Sequence, residues 1–271
     1  MTDGLEGAVA LVTGAARDDG IGQGIVRALL ESGAAGVLFT DIDEERGRES
    51  VSALEKAFPG RVLFQRHDVT QVEDWEGALE TVQSHFGKLH ILVNNAGIPL
   101  IGDIRSTSLD SLRQGMAVNF ESQFIGIKQC AQVLARHASE RKGGAAIINN
   151  SSMAAYLVDP GNLRYHVSKA AGRMLTMCAA REFGPDRIRV NSVHYGPTMT
   201  GPMEEALGRY AASGAFADAD AARAGIEALS PLGTIGTIDE AGALVAFLAS
   251  DQARYITGAA YWQDGGCFMQ Y

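Results

Sequence analysis

Ala8-Val9-Ala10-Leu11-Val12-Thr13-Gly14-Ala15-Ala16-Arg17-Asp18-Asp19-Gly20-Ile21-Gly22 decides the fold. Residues 8–12 are a short, unbroken apolar run, the pattern of a strand buried on both faces. The run stops at Thr13-Gly14, and a helical stretch follows from about Gly22 to Ser32. Glycines at such a strand-to-helix turn let backbone amides close on a diphosphate, at a helix N-terminus whose first amides have no internal partner. Gly14, Gly20, Ile21 and Gly22 are the expected diphosphate contacts, with Arg17 beside them. A glycine cluster alone is equally an ordinary turn. An acidic residue about 20 residues further on gives it a nucleotide-binding sense.

That acid is Asp41, just after the apolar run Val37-Leu38-Phe39-Thr40. Its carboxylate can accept hydrogen bonds from the two adenosine ribose hydroxyls, with Ile42 beside it. The same charge repels a 2′-phosphate, so NAD is expected over NADP. The competing role for Asp41 is to cap the next helix, although Asp43 is better placed for that. Arg17, Arg46 and Arg48 weigh the other way, because a nearby guanidinium can hold the extra phosphate.

The same alternation continues outward. Val62-Leu63-Phe64, Leu89-His90-Ile91-Leu92-Val93, Ala145-Ala146-Ile147-Ile148, Ile188-Arg189-Val190 and Ala259-Ala260-Tyr261 read as further strands. Helical patterns begin at Asp43-Glu44-Glu45 and run from Trp75 to Phe86, Leu109 to His137, Leu163 to Phe183 and Ile238 to Leu248. Strand–helix alternation implies right-handed crossovers, hence an α/β fold. We expect a single Rossmann-type doubly wound parallel sheet of about seven strands, order 3-2-1-4-5-6-7, with helices on both faces. No linker or repeat divides residues 1–271, so one domain is expected. The stretch from Thr198 to Gly236 is rich in Ala, Gly and Asp and weakly periodic; it is either a surface excursion or a lid over a site.

Composition narrows the function. The chain has 271 residues, 46% of them hydrophobic, which is ordinary for a globular core. Lys+Arg number 23 against 32 Asp+Glu, a formal charge of −9, and no basic patch stands out, so nucleic acid is not an expected partner. Cys130, Cys178 and Cys267 are odd in number and far apart, which fits neither a disulfide framework nor zinc. The six histidines fall on different elements, so no metal is expected. The N-terminus lacks a secretory pattern and no apolar run is long enough for a bilayer; a cytoplasmic protein without membrane contact is expected.

Asn94-Asn95-Ala96-Gly97, then Ser152, then Tyr165-His166-Val167-Ser168-Lys169, complete the pattern. Tyr and Lys stand four apart, and Ser stands thirteen before Tyr. In this combination, over essentially the whole chain, the sequence resembles the classical short-chain dehydrogenase/reductase family. That resemblance implies a catalytic set of Asn119, Ser152, Tyr165 and Lys169. Tyr165 exchanges a proton with the substrate oxygen, Ser152 bonds that oxygen, Lys169 also holds the nicotinamide ribose, and Asn119 holds a relay water. Asp68 and Val69 would meet the adenine. Asn95, Ala96 and Gly97 would line the adenosine ribose, and Gly196, Thr198 and Thr200 the carboxamide and phosphates. The residues agree physically: on a helix, positions four apart share a face. An ammonium 4–5 Å from a phenol, at an effective dielectric near 20, favours the phenolate by roughly 3.5–4 kcal/mol, or about two to three pKa units before desolvation opposes it.

Two departures from the family pattern show. Five residues, Ala15 to Asp19, separate the first two glycines where three are usual, and Asp18 and Asp19 are expected to bulge toward solvent. Tyr195 replaces a common Pro; it either closes a wall of the substrate pocket or packs in the core. Ser152, Met153, Tyr156, Tyr165 and Tyr195 are the expected substrate contacts. Ile98, Pro99, Leu100, Met199 and Met203 are further wall candidates, an adaptable apolar set. The expected function is an NAD(H)-dependent oxidoreductase interconverting a secondary alcohol and a ketone. The small-molecule substrate is expected to be hydrophobic: aromatic, alicyclic or steroid-like. The alternatives are enoyl or imine reduction on the same site, or a dinucleotide sensor without catalysis. The resemblance also implies a homotetramer paired through the helices after the fourth and fifth strands.

Overall fold

The computed structural model describes residues 4–99 and 101–270. Each apolar run becomes a strand: β1 (Val9–Thr13), β2 (Gly36–Asp41), β3 (Val62–Arg66), β4 (Ile91–Asn94), β5 (Ala145–Ser152), β6 (Ile188–Tyr195) and β7 (Ala260–Gln263). All pair in parallel, in the order β3-β2-β1-β4-β5-β6-β7. β1 is an interior strand: Val12 pairs with Phe39 on one side and Val93 on the other, and the whole strand is buried. The helices are α1 (Ile21–Glu31), α2 (Glu44–Ala57), α3 (Val72–Phe86), α4 (Leu109–Met116), α5 (Ser122–His137), α6 (Leu163–Phe183), α7 (Gly201–Ala212), α8 (Ala219–Glu227) and α9 (Ile238–Ala249).

Alternate strand residues feed two cores, one on each sheet face. Val12, Phe39, Val93 and Ile148 pack under α1, α2 and α9, with Ile25, Leu29, Leu54 and Val245. Leu11, Leu38, Leu92 and Ile147 pack under α3, α5 and α6, with Trp75, Val82, Leu134 and Ala179. Helix α1 meets α9 backbone to backbone. A β-carbon on Gly24 would stand 2.1 Å from the Ile238 carbonyl oxygen, and one on Gly242 2.2 Å from that of Gly24.

The structure departs from expectation in four places, the first being β5, which runs eight residues rather than four. The helix expected over 109–137 is interrupted by a π-helical segment, Ala117–Glu121, between α4 and α5. β6 runs eight residues rather than three, because Asn191 satisfies itself inside the sheet: it donates to Ile256 O at 2.9 Å and accepts from Ala259 N at 3.1 Å. The stretch 198–236 holds α7 and α8, capped by Thr200 and Asp218. Its two ends are pinned together by a bridge between Thr198 and Gly236, with Met199 N donating to Gly236 O at 2.7 Å and Gly236 N to Pro197 O at 3.1 Å. Among the described residues no helix is long and apolar enough to cross a membrane.

Candidate active site

The site forms where the strands end. Gly14 takes φ +66, a left-handed backbone, and a β-carbon there would stand 2.5 Å from Ala96 Cα; only glycine lets the first turn lie against the Asn-Ala-Gly segment. Thr13 and Asn95 lock the two together. Thr13 Oγ1 accepts from Asn95 N and Ala96 N, both at 3.1 Å, while Asn95 Nδ2 donates to Thr13 O and Gly14 O at 2.9 and 2.6 Å. Helix α1 starts at Gly20 with no side-chain cap and no acid in its first turn, so its leading amides are open to an anion. Asp41 ends β2 and accepts from Ala16 N at 3.0 Å and Asp43 N at 3.1 Å. Asp43, not Asp41, caps α2, accepting from Arg46 N at 3.1 Å.

At the other end, α6 presents Tyr165 and Lys169 from successive turns. Lys169 Nζ stands 5.5 Å from the Tyr165 ring centre and donates to Asn150 O at 3.2 Å. The Ser152 side chain, at the end of β5, accepts from Ala154 N at 3.2 Å and favours the ionised form of the Tyr165 phenol. Asn119 is fully buried in the π segment. Its amide grips the backbone of Ile98 in both directions, at 2.8 and 3.0 Å, and also donates to Ser168 Oγ at 3.2 Å. A β-carbon on Gly97 would meet Asn119 Oδ1 at 3.3 Å and Lys169 Nζ at 3.6 Å, so this glycine lets the two approach. His194, buried in β6, reaches the Ser152 carbonyl through Nδ1 at 3.1 Å and Ser192 Oγ through Nε2 at 2.8 Å.

The electrostatics correct one expectation. Burial pushes the Tyr165 phenol up rather than down, and Ser152 only partly opposes it. Burial also lowers Lys169 to about 8, with its ammonium held on a backbone carbonyl. The chain alone therefore does not acidify the phenol, because desolvation outweighs the Ser152 contribution. His194 and His67 are lowered to about 4, chiefly by burial, and are neutral core residues at pH 7.

A cleft of about 600 Å³ lies over these strand ends. Gly14, Arg17, Gly20, Ile21, Gly22, Asp41, Ile42, Asp68, Val69, Asn95, Ala96, Gly97, Tyr165, Lys169, Tyr195 and Thr200 line it, as do Ile98 and Pro99. Gly196 and Thr198 stand back from the wall, with Thr198 Oγ1 turned onto Gly196 O at 3.1 Å. Thr200 uses its hydroxyl to cap α7. Asn119, Ser152, Met153, Tyr156, Met199 and Met203 are not on this wall. Tyr156 packs instead against His194 and Trp262, with the Arg173 guanidinium 4.2 Å from its ring centre. Leu100 lies outside the described residues. Tyr195 does both things expected of it: it is buried in the core and shows an edge to the cleft, its hydroxyl donating to Asn150 Oδ1 at 3.3 Å.

The family described as enoyl-(acyl carrier protein) reductase matches residues 14–267. A 3-beta-hydroxysteroid dehydrogenase of Comamonas testosteroni is 37% identical, over 97% of both chains. The chain belongs to the short-chain dehydrogenase/reductase family. A trans-4-hydroxycyclohexanecarboxylate dehydrogenase of Sinomonas cyclohexanicum is 33% identical, covering 98% of this chain and 95% of that one. The crystal structure of L-sorbose reductase from Gluconobacter frateurii, complexed with NADPH and L-sorbose, superposes with a TM-score of 0.90 at 27% identity, over 98% of each chain.

A short-chain dehydrogenase/reductase takes a nicotinamide dinucleotide, and this chain's residues fit one. The uncapped start of α1 suits the diphosphate, and the glycines leave room that side chains would fill. Several residues of this dehydrogenase's cleft escaped the sequence: Gln114, Val118, His67, Asn150 and Pro202. Gln114 and Val118 are four apart on the run leading to Asn119, a spacing that could have disclosed them. Asn150 could not be found that way; its side-chain Nδ2 donates across to Asn95 Oδ1 at 2.8 Å, a contact between distant segments.

Proposed function

We propose that the protein is an NAD(H)-dependent dehydrogenase interconverting a secondary alcohol and a ketone, with Asn119, Ser152, Tyr165 and Lys169 as its catalytic set. The observation that carries this is Tyr165, one helical turn from Lys169, on the wall of the cleft that Gly14, Asp41 and Asp68 also line. When bound, the oxidised nicotinamide supplies the hydride acceptor and a positive charge beside the phenol. Tyr165 takes the alcohol proton in oxidation and returns it in reduction. Ser152 donates to the same oxygen and steadies its developing charge. Asn119 holds residues 97–98 in place beside Lys169.

Asp41 supports NAD over NADP, because its carboxylate stands at the end of β2 on the cleft wall. The apolar wall of Ile98, Pro99, Val118 and Pro202 supports a hydrophobic substrate, and the hydroxysteroid and hydroxycyclohexane dehydrogenases among its relatives point to an alicyclic or steroid alcohol. Oxidation kinetics over a library of secondary alcohols, with NAD and NADP in parallel, test this. The expected preference is for NAD, and Asp41→Ala is expected to relax it by about tenfold or more, since one close charge repulsion is removed. Equal use of both cofactors by the unaltered protein would sink the assignment of Asp41. The stretch 198–236 is the proposed substrate lid.

Phe124 on α5, with Val167, Met174 and Met177 on α6, leaves exposed apolar surface, and this supports the homotetramer paired through these helices. Light scattering is expected to give four times the chain mass; a monomer would refute it.

A further inference from the structure

The two-residue extension of the glycine turn takes hold of the one cation in that turn. Arg17 makes a paired contact with Asp19: Nε to Oδ1 at 2.9 Å and Nη2 to Oδ2 at 3.0 Å. Glu205 on α7 lies 3.8 Å from the same Nη2. The pair rests on the first residue of α7. A β-carbon on Gly201 would stand 2.0 Å from Asp19 Oδ2 and 2.1 Å from Arg17 Nη2, and Gly201 N donates to Asp19 O at 3.2 Å. Asp19 is therefore half-exposed with its carboxylate turned onto Arg17, whereas Asp18 is exposed.

The direction of Arg17 is informative. Its neighbour Ala16 is bonded through its amide to Asp41, so the Arg17 backbone lies next to the carboxylate assigned to the ribose. An unrestrained guanidinium so placed can turn to Asp41, or to a phosphate on the ribose. Here it turns away. The carboxylates that raise its pKa are Asp19, Glu205 and Asp18, with the Asp19 hydrogen bond foremost, and Asp41 is not among them. Arg46, which also lines the cleft, is already 3.6 Å from Asp43.

We infer that Asp19 is a cofactor-specificity residue, which excludes the 2′-phosphate of NADP by holding the Arg17 guanidinium against Gly201 and away from the adenosine ribose. This rests on the NAD preference proposed above and adds a second device to it. Asp41 repels the extra phosphate, and Asp19 withholds the cation that would compensate. A paired guanidinium forfeits its fork-like contact with a phosphate, which at a half-exposed site is worth on the order of tenfold in binding.

The test is calorimetric titration of NADH and NADPH into the full-length protein and its variants. The unaltered protein binds NADH more tightly. Asp19→Asn tightens NADPH about tenfold and leaves NADH within about twofold, which also reports an intact fold. Asp19→Glu, which keeps a carboxylate for Arg17, retains the original preference. Adding Arg17→Ala to Asp19→Asn abolishes the gain. An unchanged ratio of the two dissociation constants in Asp19→Asn, with NADH still preferred by the parent, overturns the inference and leaves the Asp41 assignment standing. A gain that persists without Arg17 also overturns it, because the effect then comes from removing the Asp19 charge alone. A parent protein that prefers NADPH overturns both.

Discussion

Tyr165→Phe is expected to lose about 10²- to 10⁴-fold in turnover while binding NADH as before. The substitution removes one oxygen atom. The ring's place beside Lys169 does not depend on that oxygen, and Ser152 is the side chain that acts on it. Among the described residues no other group is comparably placed to move the proton: Lys169 is held on Asn150 O, and Asn119 is occupied with Ile98 and Ser168. Steady-state oxidation of a secondary alcohol, with NADH fluorescence titration alongside, separates the two quantities. Turnover within tenfold of the parent, with binding intact, would show that the acid/base lies elsewhere. Loss of both together would show that the hydroxyl holds the fold or the cofactor rather than the proton.

Acidification from pH 7 to 4 is expected to destabilise the protein by several kcal/mol. His67 and His194 each fall from the ordinary 6.5 to about 4 in the folded chain. Between those values the unfolded chain binds protons that the folded one refuses, so stability rises with pH across the window and is lost as pH falls through it. Each ring contributes about 3 kcal/mol over the full span. The cause is burial in both cases, partly opposed by Asp74 and Asp68 at His67 and by the Ser152 carbonyl at His194, where Arg173 and Lys169 push the other way. His194 also accepts at Nε2 from Ser192, and protonation removes that acceptor. Thermal unfolding followed from pH 7 to 4 reads the slope. His67→Phe is expected to flatten it by about half, whatever it does to the plateau. A midpoint that does not move above pH 4.5 would contradict the assignment of two neutral buried rings.

The strands were legible because a parallel sheet covered on both faces shows as plain apolar runs, and 8–12, 37–40 and 91–93 are buried accordingly. Tyr165 and Lys169 were legible because helical spacing alone places them on one face. What was hidden depends on contacts between distant segments. The π segment at Asn119 shifts the helical phase too little to show in a pattern of apolar residues, yet it sets the one side chain that grips Ile98. β6 was underestimated because Asn191 and Ser192 look like a loop until their partners across the sheet are seen. The acidity of Tyr165 was not legible, since the desolvation that opposes the cation depends on how far the folded chain buries the phenol. Asp19 looked like a misplaced charge in the glycine turn because its partner's direction depends on Gly201, far along the chain.

The stitched base of residues 198–236 has an evolutionary corollary. The polypeptide leaves the body of the protein and re-enters it at one spot, where Thr198 faces Gly236. The segment between them also rests on the body, Gly201 N donating to Asp19 O at 3.2 Å and Ser230 Oγ to Gly265 O, just past β7, at 2.9 Å. Related enzymes can therefore exchange this cassette, longer or shorter, provided those two anchors travel with it, and the protein engineer who grafts here inherits the same condition.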